Sequence, residues 1–305
     1  MTFDGQNAAR SSDYDLRSLE HERRMLAEYR RGVMNDGALL QPLANACWRR
    51  AAFEWQLYAD VETVRRLWGE SARALAQGFT RRRPGFDPSA DQFVLALHFS
   101  IAAREREAFT SLALTNPDAR GRVLREARAF RGSRAHLHLA EGYAQVARAL
   151  VERQAEAARA AVVSLETARA ENDHGWWHRQ FPTALDAAWR ISEHEALCVL
   201  LGAIARRLAG SFSTATEDPA EQQDDEEEAA AEFARVVDET LLRLEQFVEH
   251  DPNHHPKLYL WLPGLALCAL AASAGLPVGW LHERHEANGV GYARLPLALL
   301  RNPAS

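Results

Sequence analysis

The stretch Asp251-Pro252-Asn253-His254-His255-Pro256 stands before an apolar run at residues 258–272, and Gly275-Leu276-Pro277 follows that run. A polar turn bounded by proline, a run of leucine, alanine and tryptophan, and a Gly-Leu-Pro exit are typical of a packed helix with a defined start and stop. The stretch therefore predicts a helix that serves packing, and similar alanine-rich segments recur along the chain.

Apolar residues repeat every three or four positions through most of the sequence, which is the period of an amphipathic helix. Two such stripes fall at Leu40, Ala44, Cys47, Ala51, Trp55 and Tyr58 and at Val64, Leu67, Ser71, Leu75 and Phe79. We predict further helices over residues 89–106, 117–130, 133–170, 183–209, 229–250 and 257–272. The predicted fold class is all-α, as an irregular antiparallel helical bundle or a repeat-like helical array.

A tetratricopeptide-like array is the specific form of repeat to consider, because residues 72–79 and 140–147 are rich in the small side chains that let paired helices approach closely. The tetratricopeptide consensus sequence does not recur at a constant spacing of about 34 residues. The predicted helix over residues 133–170 is also too long for a repeat of that length. A scaffold or adaptor of this kind stays open as an alternative.

The chain has 305 residues, of which 47% are hydrophobic, enough to bury a large core. We expect residues 1–13 to be disordered and residues 14–305 to form a single all-helical domain with an acidic linker at 211–228. The three cysteines lie far apart within apolar helical patterns, which favours buried thiols in a reducing, cytoplasmic setting. Lys257 is the only lysine among 36 basic residues, a usage that suggests a GC-rich bacterial genome.

Acidic charge is concentrated in one place. Residues 217–232 hold nine carboxylates and no base, so this tract contributes −9 to a net charge of −6 and leaves +3 for the remainder. Such a tract can be a solvated loop whose acids stabilise the start of the next helix, or an electrostatic surface that attracts a basic partner. The partner-binding candidates here are Asp224, Asp225, Glu226, Glu227 and Glu228.

Twelve histidines raise the question of a metal site. His174 and His178 are four apart, but Gly175 lies between them and the His-Glu-x-x-His order of a zinc protease is missing. His250, His254, His255, His282 and His285 crowd two turns and could hold a divalent ion, although helix capping explains them equally well. His194 lies on the apolar stripe of Ile191, Cys198 and Leu201, so we expect a hydrogen-bonded core residue. We predict no metal and no cofactor.

Catalysis and nucleic-acid binding have little support in the sequence. Ser100, Ser111 and the cysteines stand neither in a strained turn nor beside an identifiable base, so we predict that the protein is not an enzyme. Arg81-Arg82-Arg83 is a basic loop next to aromatic residues, but a pI near 6.1 and the acidic tract disfavour phosphate binding. No apolar run is long enough to predict a membrane span.

Residues 260–271 and the exit Gly275-Leu276-Pro277-Val278 resemble the C-terminal segment of the immunity protein 49 family of bacterial polymorphic-toxin systems. Residues 44–58 and 136–147 are similar to that family in their composition of alanine, tryptophan and other small or aromatic residues. The resemblance implies an all-helical cytoplasmic antidote that neutralises a cognate toxin by direct binding, without a cofactor. Trp176 and Trp177 are paired aromatics that could anchor such a partner.

Overall fold

The computed structural model describes residues 24, 27–28, 31, 40–81, 86, 89–115, 134–181, 183–213, 219–250, 260–287 and 291–300. Within these ranges the chain forms twelve α-helices and a single 3₁₀ turn and has no β-strand. The predicted all-α fold class is confirmed.

The helices follow one another through short connections. In chain order they are α1 (Leu40–Tyr58), α2 (Val61–Arg81), α3 (Ala90–Ala102), α4 (Arg106–Ala113), α5 (Arg134–Glu152), α6 (Ala155–Ala170), α7 (His174–Gln180), α8 (Ala184–Ser211), α9 (Pro219–His250), α10 (Leu262–Ser273), α11 (Trp280–Glu286) and α12 (Leu297–Leu300), with the 3₁₀ turn at Tyr292–Arg294 before α12.

Neighbouring helices pack as antiparallel pairs. Connections of two residues join α1 to α2 and α5 to α6, and each pair packs closely along its length. The long helices α8 and α9 also run antiparallel, because Trp189 stacks on Phe247 near one end while Arg206 bonds Glu232 near the other. Helix α6 packs on α8 and thereby joins two of these pairs.

Two helices occupy the centre of the molecule. Helix α3 buries ten of its thirteen residues and α10 buries nine of its twelve, and the two pack against each other. A helix that is apolar on all sides is stable in water only when other elements surround it. Helix α10, which holds most of the predicted apolar run, is therefore part of the innermost layer.

Burial follows the predicted stripes. Val64, Leu67, Ser71, Leu75 and Phe79 of α2 are all buried, as are Ile191, His194, Cys198 and Leu201 of α8. The stripe of α1 is buried from Leu40 to Ala51, but its last member, Tyr58, is 71% exposed because the helix ends there. Side chains from every helix except α7 contribute to one continuous core.

The predicted single helix over residues 133–170 is wrong, since the chain turns back after Glu152. Arg153 takes the left-handed conformation, with φ of 54°, and the N–H of Gln154 bonds the carbonyl of Ala149. This 6→1 bond is that of a Schellman motif, in which glycine usually holds the left-handed position. The sequence has no glycine at this position, so nothing in the local sequence predicts that the helix ends there.

The predicted helix over residues 89–106 is interrupted in the same way. Arg104 has φ of 61°, and the N–H of Glu105 bonds the carbonyl of Ser100. The predicted stop at Gly275 is confirmed, since its φ is 82° and the N–H of Leu276 bonds the carbonyl of Ala271. Helix α8 continues through Gly210, where we expected it to end.

Two more helix boundaries differ from the prediction. Helix α10 begins at Leu262, five residues after the predicted start, and α9 begins at Pro219, ten residues before its predicted start near residue 229. The predicted helix over residues 117–130, the turn at residues 251–256 and the N-terminal residues 1–13 lie outside the described residues. The single-domain assignment and its linker at 211–228 stay predictions.

Candidate functional site

A cleft of about 810 Å³ opens between α1, α3, α5, α7, α8 and the start of α10. Its apolar lining comes from Val94, Leu95, Leu139, Leu197 and Pro263, and its aromatic lining from Trp48, Trp176, Trp177 and Phe181. Three histidines and four polar side chains complete it: His98, His136, His194, Asp91, Gln180, Arg190 and Glu193. A concave, mostly apolar surface with a few converging polar groups is the usual form of a ligand site.

The short helix α7 forms one wall, and side chains cap both its start and the start of the helix that follows it. Asp173 caps its start by accepting a hydrogen bond from the N–H of Trp176 at 3.1 Å. Thr183 then caps α8 by accepting from the N–H of Asp186 at 3.0 Å. Capping residues of this type satisfy backbone donors that a helix start would leave unpaired. The two caps fix where the paired tryptophans of α7 lie.

Trp176 and Trp177 have different surroundings. Trp177 is 5% exposed, and its indole N–H donates to Oδ1 of Asn172 at 2.7 Å. Trp176 is half-buried and its ring lies 5.0 Å from that of Trp177, nearly perpendicular to it. A bound molecule can therefore reach Trp176 directly, whereas Trp177 supports it from behind.

His136 of α5 lies between Trp177 of α7 and His194 of α8. Its ring centre lies 4.6 Å from that of Trp177 and 5.3 Å from that of His194. Its Nδ1 lies 3.2 Å from Oδ1 of Asp91, the exposed acid in the first turn of α3. Side chains from α3, α7 and α8 thus surround the ring of His136.

His194 is buried as the sequence predicted. Its Nε2 donates to the carbonyl of Ala168 at 3.3 Å. Burial, followed by the neighbouring His136, lowers the pKa of His194 to about 4. The imidazole is therefore neutral at neutral pH.

His98 lies on the inner helix α3 and is 3% exposed. Its ring centre is 5.3 Å from that of Tyr143, and its Nε2 has no hydrogen-bond partner among the described residues. Burial lowers the pKa of His98 to about 3. A buried nitrogen without a partner is uncommon in folded proteins, because such a group has lost its bond to water without gaining another.

Each charged group at the edge of the cleft lies beside another polar side chain. Arg190 donates to Glu193 at 2.9 Å, and its guanidinium carbon lies 5.8 Å from the ring centre of Phe181. Asp91 faces His136, as described above. The edge therefore holds two local pairs and no strong field of one sign.

His98, His136 and Asp91 were not singled out by the sequence. The signal that identified His194, a histidine on an apolar helical face, was also present at His98, which stands between Leu97 and Phe99 and four residues after Val94. No comparable signal links Asp91 to His136, because their contact depends on the packing of α3 against α5.

The acidic tract lies away from the cleft. The side chains of Asp224, Asp225 and Glu226 lie outside the described residues, while Glu227 and Glu228 are exposed on α9. Because Arg206 contacts Glu232 and Ser192 contacts Arg243, the acidic end of α9 lies beside the far end of α8. The 13 residues from Glu193 to Arg206 span about 20 Å of helix. The structure therefore does not bring the two sets of predicted binding residues together.

Four of the five candidate nucleophiles, Ser100 and the three cysteines, are buried. The thiols of Cys198 and Cys268 are buried, and burial raises the pKa of each to about 12, so both stay protonated. Ser100 is buried and its hydroxyl donates to the carbonyl of Leu97 at 2.9 Å.

Several histidines considered for a metal have other partners. His282 lies 3.1 Å from Glu286, His285 bonds the carbonyl of Leu295, and His174 lies 3.2 Å from Glu195. His250 bonds the carbonyl of Gln246 in its own helix. His254 and His255 lie outside the described residues, and so do Arg82, Arg83 and the side chain of Arg81. Across the part of the chain that is described, no three histidine, cysteine or acidic side chains are grouped to hold a metal ion.

Among the helices described, none combines the length and the apolar composition that crossing a membrane requires. No protein-family model matches the chain, and no curated protein or solved structure matches it either.

Proposed function

We propose that this protein acts by binding another protein, as an antidote that neutralises a cognate bacterial toxin, and that the acidic first part of α9 is its docking surface. The observation that carries the proposal is the exposure of Glu227 and Glu228 on a continuous helix, within a tract of nine acids and no base. The resemblance of residues 260–278 to the immunity protein 49 family supports the same function.

The physical reason is electrostatic. A cluster of like charges on one helix gives a local field that accelerates the approach of a basic partner, and salt weakens this field. Exposed carboxylates lose little packing when they are replaced, so binding can be altered without unfolding the protein. Because a helix holds these acids at fixed spacing, the surface keeps a defined geometry.

The candidate partner is the product of the adjacent gene. In the test, this neighbouring gene is expressed alone and then together with the gene for this protein. We expect the neighbouring product to stop growth alone, and co-expression to restore growth. The two purified proteins should form a stable complex. Full toxicity in the presence of the folded protein, together with no complex, would contradict the antidote proposal.

The docking surface is tested by charge reversal. We expect Glu227→Arg with Glu228→Arg to slow association with that partner at low salt and to change the rate little at high salt. The matched control reverses Glu166 and Glu249, two exposed acids outside the tract. Equal slowing by both double variants would assign the effect to net charge and not to this surface.

A second function, a tetratricopeptide-like adaptor, gains support from one observation. Helices α5 and α6 form an antiparallel hairpin over residues 134–170, which is close to the length of such a repeat of about 34 residues. The hairpin removes one of the two sequence-based objections to a repeat, the single long helix predicted there. The other objection, that the consensus does not recur at a constant period, still stands. An adaptor would bind a peptide whose affinity does not depend on the acidic tract, so the charge-reversal pair also separates the two functions.

A further inference from the structure

We propose that the cleft between α3, α5, α7 and α8 is a binding site for a small, neutral, planar heteroaromatic compound that carries a ring N–H. The site is separate from the acidic surface of α9 and does not depend on the proposed antidote function.

The size of the cleft fits such a compound. It encloses about 810 Å³, within the range of roughly 300 to 1,000 Å³ that is usual for small-molecule sites. A fused two-ring compound fills part of this space and leaves room for substituents toward the open edge.

The walls favour a flat ring system. Trp48, Trp176 and Phe181 line the cleft, and Trp48 is held edge-on against Phe99 at 5.9 Å. Aromatic rings prefer offset-stacked or edge-to-face contact with other rings, and such pairs gain more than their buried area alone provides. Trp176 is also braced by Trp177 and His136, so its ring does not have to be ordered when a ligand arrives.

His98 supplies the polar group. A neutral imidazole has one donor nitrogen and one acceptor nitrogen, and the Nε2 of this buried ring has no partner among the described residues. In the tautomer that is protonated on Nδ1, Nε2 carries a lone pair, and the ring N–H of a ligand is its complement. Leaving a buried polar group unpaired is costly, so a ligand that pairs with it gains more than the same bond would give at the surface.

The surroundings select a neutral ligand. The same burial that keeps His98 and His194 uncharged at neutral pH penalises any cation placed beside them. At the edge, Arg190 already contacts Glu193, and the side chain of Asp91 is 73% exposed, so water screens its charge and no strong field attracts an ion. Charged analogues of a good ligand should therefore bind less well.

The test uses the full-length protein and indole as the probe, with binding measured by titration calorimetry. We expect saturable binding of one indole per chain. We expect tryptamine, which adds an ammonium group to the same ring, to bind more weakly. No saturable heat with indole, or tighter binding of tryptamine, would overturn the proposal.

Variants locate the site. Trp176→Ala should weaken indole binding by roughly tenfold, because an aromatic wall is lost. The matched control is Trp280→Ala, since Trp280 is also half-buried but packs near Phe233, away from the cleft. Equal affinities for the wild type and the Trp176 variant would place the indole elsewhere.

The hydrogen bond is tested with a second probe, 1-methylindole, whose ring nitrogen has no hydrogen. His98→Phe keeps a ring at this position and removes its nitrogen atoms. We expect this variant to weaken indole binding by roughly tenfold and 1-methylindole binding much less. Circular dichroism confirms folding before the titrations. Equal weakening of both probes would show that His98 makes no bond to the ring N–H and would refute this part of the proposal.

Discussion

His98 and His194 are two buried bases that line the same cleft, and burial is the main reason that the pKa of each is lowered, to about 3 and about 4. In an unfolded chain both would titrate near their ordinary value of 6.5. The unfolded state therefore binds protons at pH values where the folded state does not. As the pH falls below about 6.5, this difference favours unfolding.

We therefore predict that the free energy of unfolding is independent of these two groups above about pH 6.5 and falls as the pH drops toward their folded values. Each histidine adds a slope of up to about 1.4 kcal/mol per pH unit. Urea unfolding between about pH 7 and pH 5 measures the slope.

His98→Gln and His194→Gln should each reduce this slope. The control is His282→Gln, because the side chain of His282 is 57% exposed and pairs with Glu286 of its own helix. If all three variants keep the wild-type slope, burial does not control the protonation of the two inner histidines.

At the scale of the element, the α5–α6 hairpin depends on a close approach at Gly142. A Cβ atom at this position would lie 2.6 Å from Cγ of Leu165, and Leu165 is itself 2% exposed. Alanine is normally the better helix former, so the sign of the substitution depends on this contact.

We predict that Gly142→Ala destabilises the protein by about 1 to 3 kcal/mol through overpacking. Gly210 in α8 is the control, since a Cβ atom there meets nothing within 4 Å. Gly210→Ala should stabilise by roughly 0.5 to 1 kcal/mol. Chemical denaturation gives both values, and a gain at Gly142 would mean that α5 and α6 are not in close contact.

The hairpin turn itself carries strain. Arg153 has φ of 54° and an exposed side chain, and this conformation costs a non-glycine residue about 1 to 2 kcal/mol. We predict that Arg153→Gly stabilises by roughly 0.5 to 1 kcal/mol after the larger entropy of unfolded glycine is subtracted. Arg159→Gly, at an exposed position inside α6, should instead destabilise by about 1 kcal/mol. The same sign at both positions would exclude a left-handed turn at Arg153.

At the scale of the whole molecule, one core joins helices that are far apart in sequence. Leu40 of α1, Leu201 of α8 and Leu299 of α12 are all buried in it. The C-terminal helix is also held to the first half of the chain, because Arg65 donates to the carbonyl of Leu299 and Arg104 to that of Leu300. A shared core of this kind favours a single cooperative unit.

We therefore predict that the described helices unfold in one transition. Helix loss followed by circular dichroism and tryptophan fluorescence should have the same midpoint in urea. This measurement also tests the prediction that residues 14–305 form a single domain. Two separated midpoints would divide the chain into independently folding parts.

The sequence by itself determined the all-α fold, the buried stripes of α2 and α8, the stop at Gly275 and the burial of His194. Each of these follows from local spacing, because residues three and four apart share one helical face and glycine readily takes a left-handed turn. The tertiary structure alone decided the breaks at Arg104 and Arg153, where no glycine marks the turn. It also decided that Asp91, His136 and Trp176 meet at one cleft and that the acidic end of α9 lies about 20 Å from it. These features depend on which helix faces pack together, and that choice is made by burial over the whole chain, not by any single segment.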